Sequence, residues 1–132
     1  MSSTQKKTIA IIGAGASGTA CFIQLILQYI VQHKMSPLRI IVFEKRKQFG
    51  EGLAFGTGQE GHLLNTKAGL MGIFPEERLH FVQWMHKHQD TIAREFPQVN
   101  IHPDAYPPRM LFRQYLHDMF QQYAQRAKEH GI

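Results

Sequence analysis

The chain has 132 residues, 43% of them hydrophobic and 19% charged, so it is long enough for one domain and apolar enough to fold. Its net charge of +5 is dispersed apart from short basic runs at 6–7 and 45–47, which argues against nucleic acid as a partner. Cys21 is the single cysteine, so no intramolecular disulfide can form, which indicates a reducing cytoplasm. No apolar run is long enough for a membrane span, so we expect no membrane partner.

The first predicted elements are a strand, a glycine-rich turn, a helix and a second strand. Residues 1–7 are polar and predict a disordered lead, with the domain over 8–132. The β-branched apolar runs at 8–12 and 39–44 predict buried strands, and apolar residues at three- and four-residue steps predict a helix over 19–33. This order indicates an α/β fold with a Rossmann-like βαβ unit, whose strands are parallel and joined by a right-handed crossover.

Beyond the second strand, the sequence predicts a long loop and additional helices. Repeated glycines over 48–72 indicate a loop system, and loops of this length are usually functional. Helices are predicted over 75–88 and 90–96, and four of the six prolines make 97–108 an irregular connector. The last predicted helix covers 109–129.

Two of these helices carry an apolar face. On the helix over 75–88 the face consists of Leu79, Val82 and Met85. On the last helix it consists of Phe112, Tyr115, Leu116, Met119, Phe120 and Tyr123. We expect this second face to be exposed and to favour self-association. Cys21, in the first helix, is expected to be a buried structural thiol.

Gly13, Gly15 and Gly18 form a G-x-G-x-x-G pattern between the first strand and the first helix. In a dinucleotide site the first glycine permits the tight turn, the second lets the backbone approach a pyrophosphate, and the third lets the helix pack closely on the sheet. The turn, which includes Ala16 and Ser17, then leads into a helix N-terminus that offers unpaired amides to the phosphates. In this position the motif predicts a dinucleotide-binding turn.

Two other nucleotide sites share parts of this pattern. A triphosphate-binding P-loop needs a lysine after the last glycine, and Thr19 stands there, so this alternative is excluded. An NADP site conflicts with Glu44, a carboxylate at the end of the second strand, which is placed to bond an adenosine ribose and would repel a 2′-phosphate. Lys45 and Arg46 weaken the conflict, since either could reach a phosphate. The residues therefore favour FAD or NAD.

Six stretches of the chain together resemble one family. They are IAIIGAGASG (9–18), VFEK (42–45), GEGLAFGT (50–57), HLLNTKAGLMGIFP (62–75), HFVQWM (80–85) and YPPRMLFRQYL (106–116). In this order they resemble the bacterial FAD/NAD(P)-binding domain family of flavoprotein-like oxidoreductases, distant relatives of flavin monooxygenases. The resemblance implies the N-terminal portion of an FAD/NAD(P)-binding domain, with the loops at 50–57 and 64–68 running past the cofactor.

The predicted cofactor-binding residues combine the glycine motif with this resemblance. They are Gly13, Gly15, Ala16, Ser17, Gly18, Glu44, Lys45, Asn65, Thr66 and Arg109. Asn65 and Thr66 could bond a flavin or substrate edge, or Asn65 could satisfy its own turn. Arg109 follows two prolines at the start of the last helix, and either contacts a cofactor phosphate or braces the loop.

No catalytic residue and no metal ligand is predicted. The closest histidines, His80, His86 and His88, do not share a helix face and have no completing ligand at a recognised spacing. Trp84 and Phe81 are expected to pack inside the fold rather than to form a stacking platform. The lack of a catalytic constellation fits a flavoprotein, in which FAD carries the redox chemistry.

The sequence therefore predicts the FAD-binding N-terminal region of a flavin-dependent oxidoreductase, with NAD(P)H as a candidate co-substrate. The alternative is a non-catalytic dinucleotide-binding module, such as a sensor or assembly domain. A helix-capping glycine and one apolar residue at 131–132 lead us to expect a missing C-terminal portion. We accordingly expect an incomplete domain that, by itself, binds FAD weakly and is inactive.

Overall fold

The computed structural model describes residues 5–32 and 36–132. They form two compact units: the first extends to Gly52 and includes Leu116–Ile132, and the second is Leu53–Tyr115. The first four residues of the predicted disordered lead, and residue 33 at the predicted end of the first helix, lie outside the described residues.

The first unit contains the predicted βαβ arrangement. Strand β1, Lys7–Ile12, is followed by helix α1, Ala16–Val31, and by strand β2, Leu38–Phe43. The two strands are parallel and in continuous register, from Lys7 beside Leu38 to Ile12 beside Phe43. This confirms the α/β fold class and the parallel sheet. Both strands begin one residue earlier than predicted.

Helix α1 begins three residues earlier than predicted, inside the glycine motif. The amide of Thr19 donates to the carbonyl oxygen of Gly15 over 2.9 Å, so the first helical turn already includes Ala16, Ser17 and Gly18. Apolar periodicity could not detect this turn, because it contains no large apolar side chain. Phe22, Ile23 and Ile26 form the buried face of the helix.

A stack of three phenyl rings fills the first unit. Phe120 lies between Phe22 and Phe49, with ring centroids 4.7 Å and 4.8 Å away. The expected exposure of the apolar face on the last helix is wrong, because all of its residues except the half-buried Tyr123 are buried. Cys21 was expected to be buried but is exposed, since it lies beside the buried face of α1 rather than on it.

The second unit consists mainly of short helices. The predicted loop at 48–72 contains the short helix α2, Gly52–Phe55, and a 3₁₀ turn at Ala68–Leu70. They are followed by α3, His80–Lys87, by α4, Gln89–Glu95, and by α5, Arg109–Glu129, which contributes to both units. The last helix has the predicted bounds.

Helix α3 starts five residues later than predicted. The backbone turns at 75–79 instead, because the amide of Glu77 donates to Phe74 and the amide of His80 donates to Glu77. A Cβ built on Gly72 would lie 2.6 Å from the carbonyl oxygen of Arg78, so this turn packs directly on a glycine. Of the predicted apolar face, Val82 and Met85 are buried, whereas Leu79 is 46% exposed.

An aromatic cluster forms the core of the second unit. Phe81 lies 5.1 Å from Phe112 and 5.0 Å from Tyr115, measured between ring centroids, and 6.2 Å from Trp84. All four side chains are buried, which confirms the predicted packing role of Trp84 and Phe81. None of the helices in the described ranges is both long and apolar enough to cross a membrane.

Candidate functional site

The glycine motif forms the turn between β1 and α1. Gly13 has a φ of 94°, a left-handed conformation that favours glycine, and its amide donates to the carbonyl of Phe43 over 2.7 Å. A Cβ on Gly18 would overlap the carbonyl oxygen of Gly13 and lie 2.9 Å from its carbonyl carbon. The first glycine thus permits the turn, and the third lets the helix pack against it.

The N-terminus of α1 has no side-chain cap. Gly15 is the N-cap residue, no side-chain capping hydrogen bond is formed there among the described residues, and no acidic residue lies in the first turn. The first amides of a helix have no intrahelical partner, and the helix dipole places positive charge beside them. The backbone of Ala16, Ser17 and Gly18 therefore presents the environment that phosphate groups favour.

The peptide groups of Ala14 connect this turn with two neighbouring segments. The amide of Ala14 donates to Oε2 of Glu44 over 2.8 Å. Its carbonyl oxygen accepts hydrogen bonds from the amide of Gly50, at 2.6 Å, and from the hydroxyl of Thr19, at 3.3 Å. Ala14 and Thr19 are completely buried. The turn is therefore held from the end of β2, from the following loop and from α1.

Glu44 lies directly after β2 and uses both carboxylate oxygens. Oε2 accepts from Ala14, and Oε1 accepts from the amide of Arg46 over 2.8 Å. The hydrogen bonds from Arg46 and Ala14 lower the pKa of Glu44, against a smaller opposing effect of burial. Its side chain is therefore an ionised acceptor at neutral pH. The following side chain, Lys45, is exposed.

Sequence reasoning missed the close approach of Gly15 to Gly52. A Cβ on Gly15 would lie 3.3 Å from Cα of Gly52, and a Cβ on Gly52 would lie 3.0 Å from Cα of Gly15. Gly50 and Gly52 have φ values of 89° and 60°. The G-E-G sequence at 50–52 was the available signal, because two glycines so close together after a strand indicate a special backbone conformation.

Arg109, in the second unit, braces backbone. Its Nε donates to the carbonyl of Leu63 over 3.1 Å, and its Nη1 donates to the carbonyl of Ala54 over 3.3 Å. Its amide donates to the carbonyl of His62 over 2.8 Å. Arg109 thus braces the loop backbone in the structure, and its contact with a cofactor phosphate stays a prediction.

Asn65 and Thr66 also belong to the second unit. Asn65 is exposed, Thr66 is half-buried, and the hydroxyl of Thr66 donates to Oδ1 of Asn65 over 3.5 Å. Of the predicted cofactor-binding residues, Asn65, Thr66 and Arg109 lie in the second unit and the other seven lie together in the first. No group of three histidine, cysteine or acidic side chains within residues 5–32 and 36–132 is arranged to hold a metal ion.

Comparison with known proteins adds one match. A family model described as FAD-NAD(P)-binding matches residues 10–132. The matched range includes the glycine turn, β2, all the described helices and the whole of β1 except its first three residues. No curated protein and no solved structure matches the chain significantly.

Proposed function

Because the chain belongs to the FAD-NAD(P)-binding family, and so binds a dinucleotide through a small α/β domain, we propose that it is the FAD-binding region of a flavin-dependent oxidoreductase that uses NAD(P)H. The pyrophosphate of the cofactor lies on the turn at 13–18, and the adenosine ribose bonds Glu44. The observation that carries this proposal is the uncapped start of α1 directly after a glycine turn.

The residues of the turn fit a pyrophosphate. A side chain at Gly13 would be strained by the positive φ, and a side chain at Gly18 would overlap the Gly13 carbonyl. With glycine at both positions, the surface of the turn consists of backbone. Ala16 and Ser17 contribute the first helical amides, and no acidic side chain in the first turn opposes a phosphate. Bound FAD supplies the redox chemistry, and the chain binds and orients it.

The negative charge of Glu44 favours a cofactor that has no 2′-phosphate. Its lowered pKa keeps the carboxylate charged at neutral pH, so that it attracts ribose hydroxyls and repels a phosphate at the same position. The exposed side chains of Lys45 and Arg46 are the basic groups that could compensate for this repulsion. Preference for FAD over NAD rests on the resemblance. Asn65, Thr66 and Arg109 stay proposed cofactor contacts on the same basis.

The proposal is tested by nucleotide titration of Gly15→Val with Gly61→Val as the matched control. Gly15 lies in the turn, whereas a Cβ on Gly61 would meet no atom within 4 Å. We expect wild type and Gly61→Val to bind FAD with the same affinity in an equilibrium titration followed by the visible absorbance of the flavin, and Gly15→Val to lose most of that affinity. Circular dichroism checks that both variants fold. Equal FAD binding by all three proteins would remove the pyrophosphate from this turn, and stronger binding of NADP than of FAD or NAD would overturn the cofactor assignment.

A further inference from the structure

The carboxylate of Glu44 points to backbone amides on two segments. Oε2 reaches back across 30 residues to Ala14 in the glycine turn, and Oε1 reaches forward to Arg46. Charge-assisted hydrogen bonds of this kind are shorter and stronger than those between neutral groups. Glu44 therefore joins the end of β2 to the middle of the turn, before any contact with a nucleotide is considered.

We propose that Glu44 is a positioning residue, which holds the Ala14 peptide and thereby keeps the glycine turn in the shape that presents the first amides of α1 to a diphosphate. The proposal rests on the proposed function and deepens it, because it gives Glu44 an effect on the diphosphate as well as on the ribose.

Burial explains why this hydrogen bond should matter for the turn. Ala14 is completely buried and its amide donates to the Glu44 carboxylate, so removal of the carboxylate takes away a charge-assisted hydrogen bond at the middle of the turn. The adjacent residues, Gly13 and Gly15, are glycines and impose little conformational restriction of their own. Without Glu44 this restraint on the Ala14 peptide is lost, and the amides of Ala16 and Ser17 are held less firmly in the geometry that a diphosphate needs.

A pair of ligands separates this role from a simple ribose contact. ADP carries both ribose hydroxyls, whereas 2′,3′-dideoxy-ADP keeps the diphosphate and lacks both hydroxyls. Calorimetric titration with each ligand is carried out on wild type, Glu44→Ala and Glu95→Gln. Glu95 is exposed, so Glu95→Gln controls for the change in net charge that Glu44→Ala also causes. If Glu44 positions the turn, Glu44→Ala weakens dideoxy-ADP by about tenfold or more, the factor for one lost hydrogen bond to a charged group. It weakens ADP further, because the ribose contact is lost as well. If dideoxy-ADP binds Glu44→Ala as well as it binds wild type, Glu44 contacts only the ribose and the proposal is wrong.

A second measurement needs no ligand and so does not depend on the proposed function. In an NMR pH titration of the ligand-free protein, we expect the Ala14 amide proton to follow the protonation of Glu44 in wild type and in Thr19→Val, which leaves the carboxylate intact. The same proton should not titrate in Glu44→Gln. An Ala14 amide that does not respond to pH in wild type overturns the positioning role. Wild type that binds neither nucleotide while its Ala14 amide titrates would instead remove the proposed function alone.

Discussion

The hydroxyl of Tyr115 lies 2.8 Å from Nδ1 of His80, and the same hydroxyl accepts a hydrogen bond from the amide of Ile73 over 3.3 Å. The hydroxyl oxygen accepts from Ile73, and which group donates in its hydrogen bond with Nδ1 depends on the tautomer of the His80 imidazole. Burial lowers the pKa of His80, Glu77 opposes this effect and Lys87 adds to it. The fold therefore favours neutral His80.

The first prediction is a pH-dependent loss of stability that originates at His80. Because the folded pKa lies below the unfolded value near 6.5, the contribution of neutral His80 is complete above that pH and is lost as the pH falls through the folded value. His80→Asn keeps a side chain that can donate to or accept from the Tyr115 hydroxyl, but it does not titrate. Urea unfolding at about pH 8 and about pH 5 should show a larger loss for wild type than for His80→Asn. The control is His86→Asn, which replaces an exposed histidine on the same helix. Identical losses of stability in wild type and His80→Asn would contradict the prediction.

The second prediction concerns the packing of α1 against the glycine turn. A Cβ at Gly18 would overlap the Gly13 carbonyl, and neither backbone can move without disturbing β1 or α1. We expect Gly18→Ala to lower the free energy of unfolding by about 1–3 kcal/mol or more, the usual range for overpacking. Gly61→Ala, in open space, should change it by less than about 0.5 kcal/mol. Urea denaturation measures both, and an equal effect of the two substitutions would show that the turn adapts.

The third prediction concerns the ring stack in the first unit. Phe120 is 7% exposed and stacks on both Phe22 and Phe49. Phe120→Ala should destabilise the protein by about 3–5 kcal/mol through lost burial and the cavity left behind. Phe43 is 53% exposed, so Phe43→Ala should cost no more than about 1 kcal/mol. Chemical denaturation measures the free energy of unfolding of both variants. If both lose about the same amount, the ring stack contributes less to stability than its burial indicates.

The βαβ unit could be predicted because its evidence is local. Two β-branched runs enclose a glycine pattern and a stretch with helical periodicity, and each signal fits within a few residues. The last helix was predicted with its observed bounds, because Pro107 and Pro108 precede it and Gly131 follows its end. The glycine turn, as the most local feature of the candidate site, followed directly from these patterns.

The remainder depends on contacts between residues far apart in the sequence. The hydrogen bond of Glu44 to Ala14 and the approach of Gly52 to Gly15 bring together separate segments, and no local pattern encodes their geometry. The turn before α3 is more local, since Gly72 and Arg78 are six residues apart, but it depends on a close backbone approach that apolar periodicity does not encode. Arg109 shows the limit most clearly: its place at the start of α5 was evident, but its carbonyl acceptors at Leu63 and Ala54 were not.

The last prediction uses Gly52 to separate two costs of adding a side chain. Both Gly52 and Gly131 have a left-handed backbone, with φ values of 60° and 73°, so alanine at either position should cost about 1–2 kcal/mol of stability. A Cβ on Gly52 would also press on Gly15 from 3.0 Å, whereas a Cβ on Gly131 would meet no atom within 4 Å. Because Gly15 is the N-cap of α1, Gly52→Ala should displace the start of the helix and weaken FAD and NAD binding, and Gly131→Ala should leave it unchanged. Denaturant unfolding and nucleotide titration of both variants measure the two effects. Nucleotide affinity that is unchanged in Gly52→Ala would show that the close approach has no part in forming the binding turn.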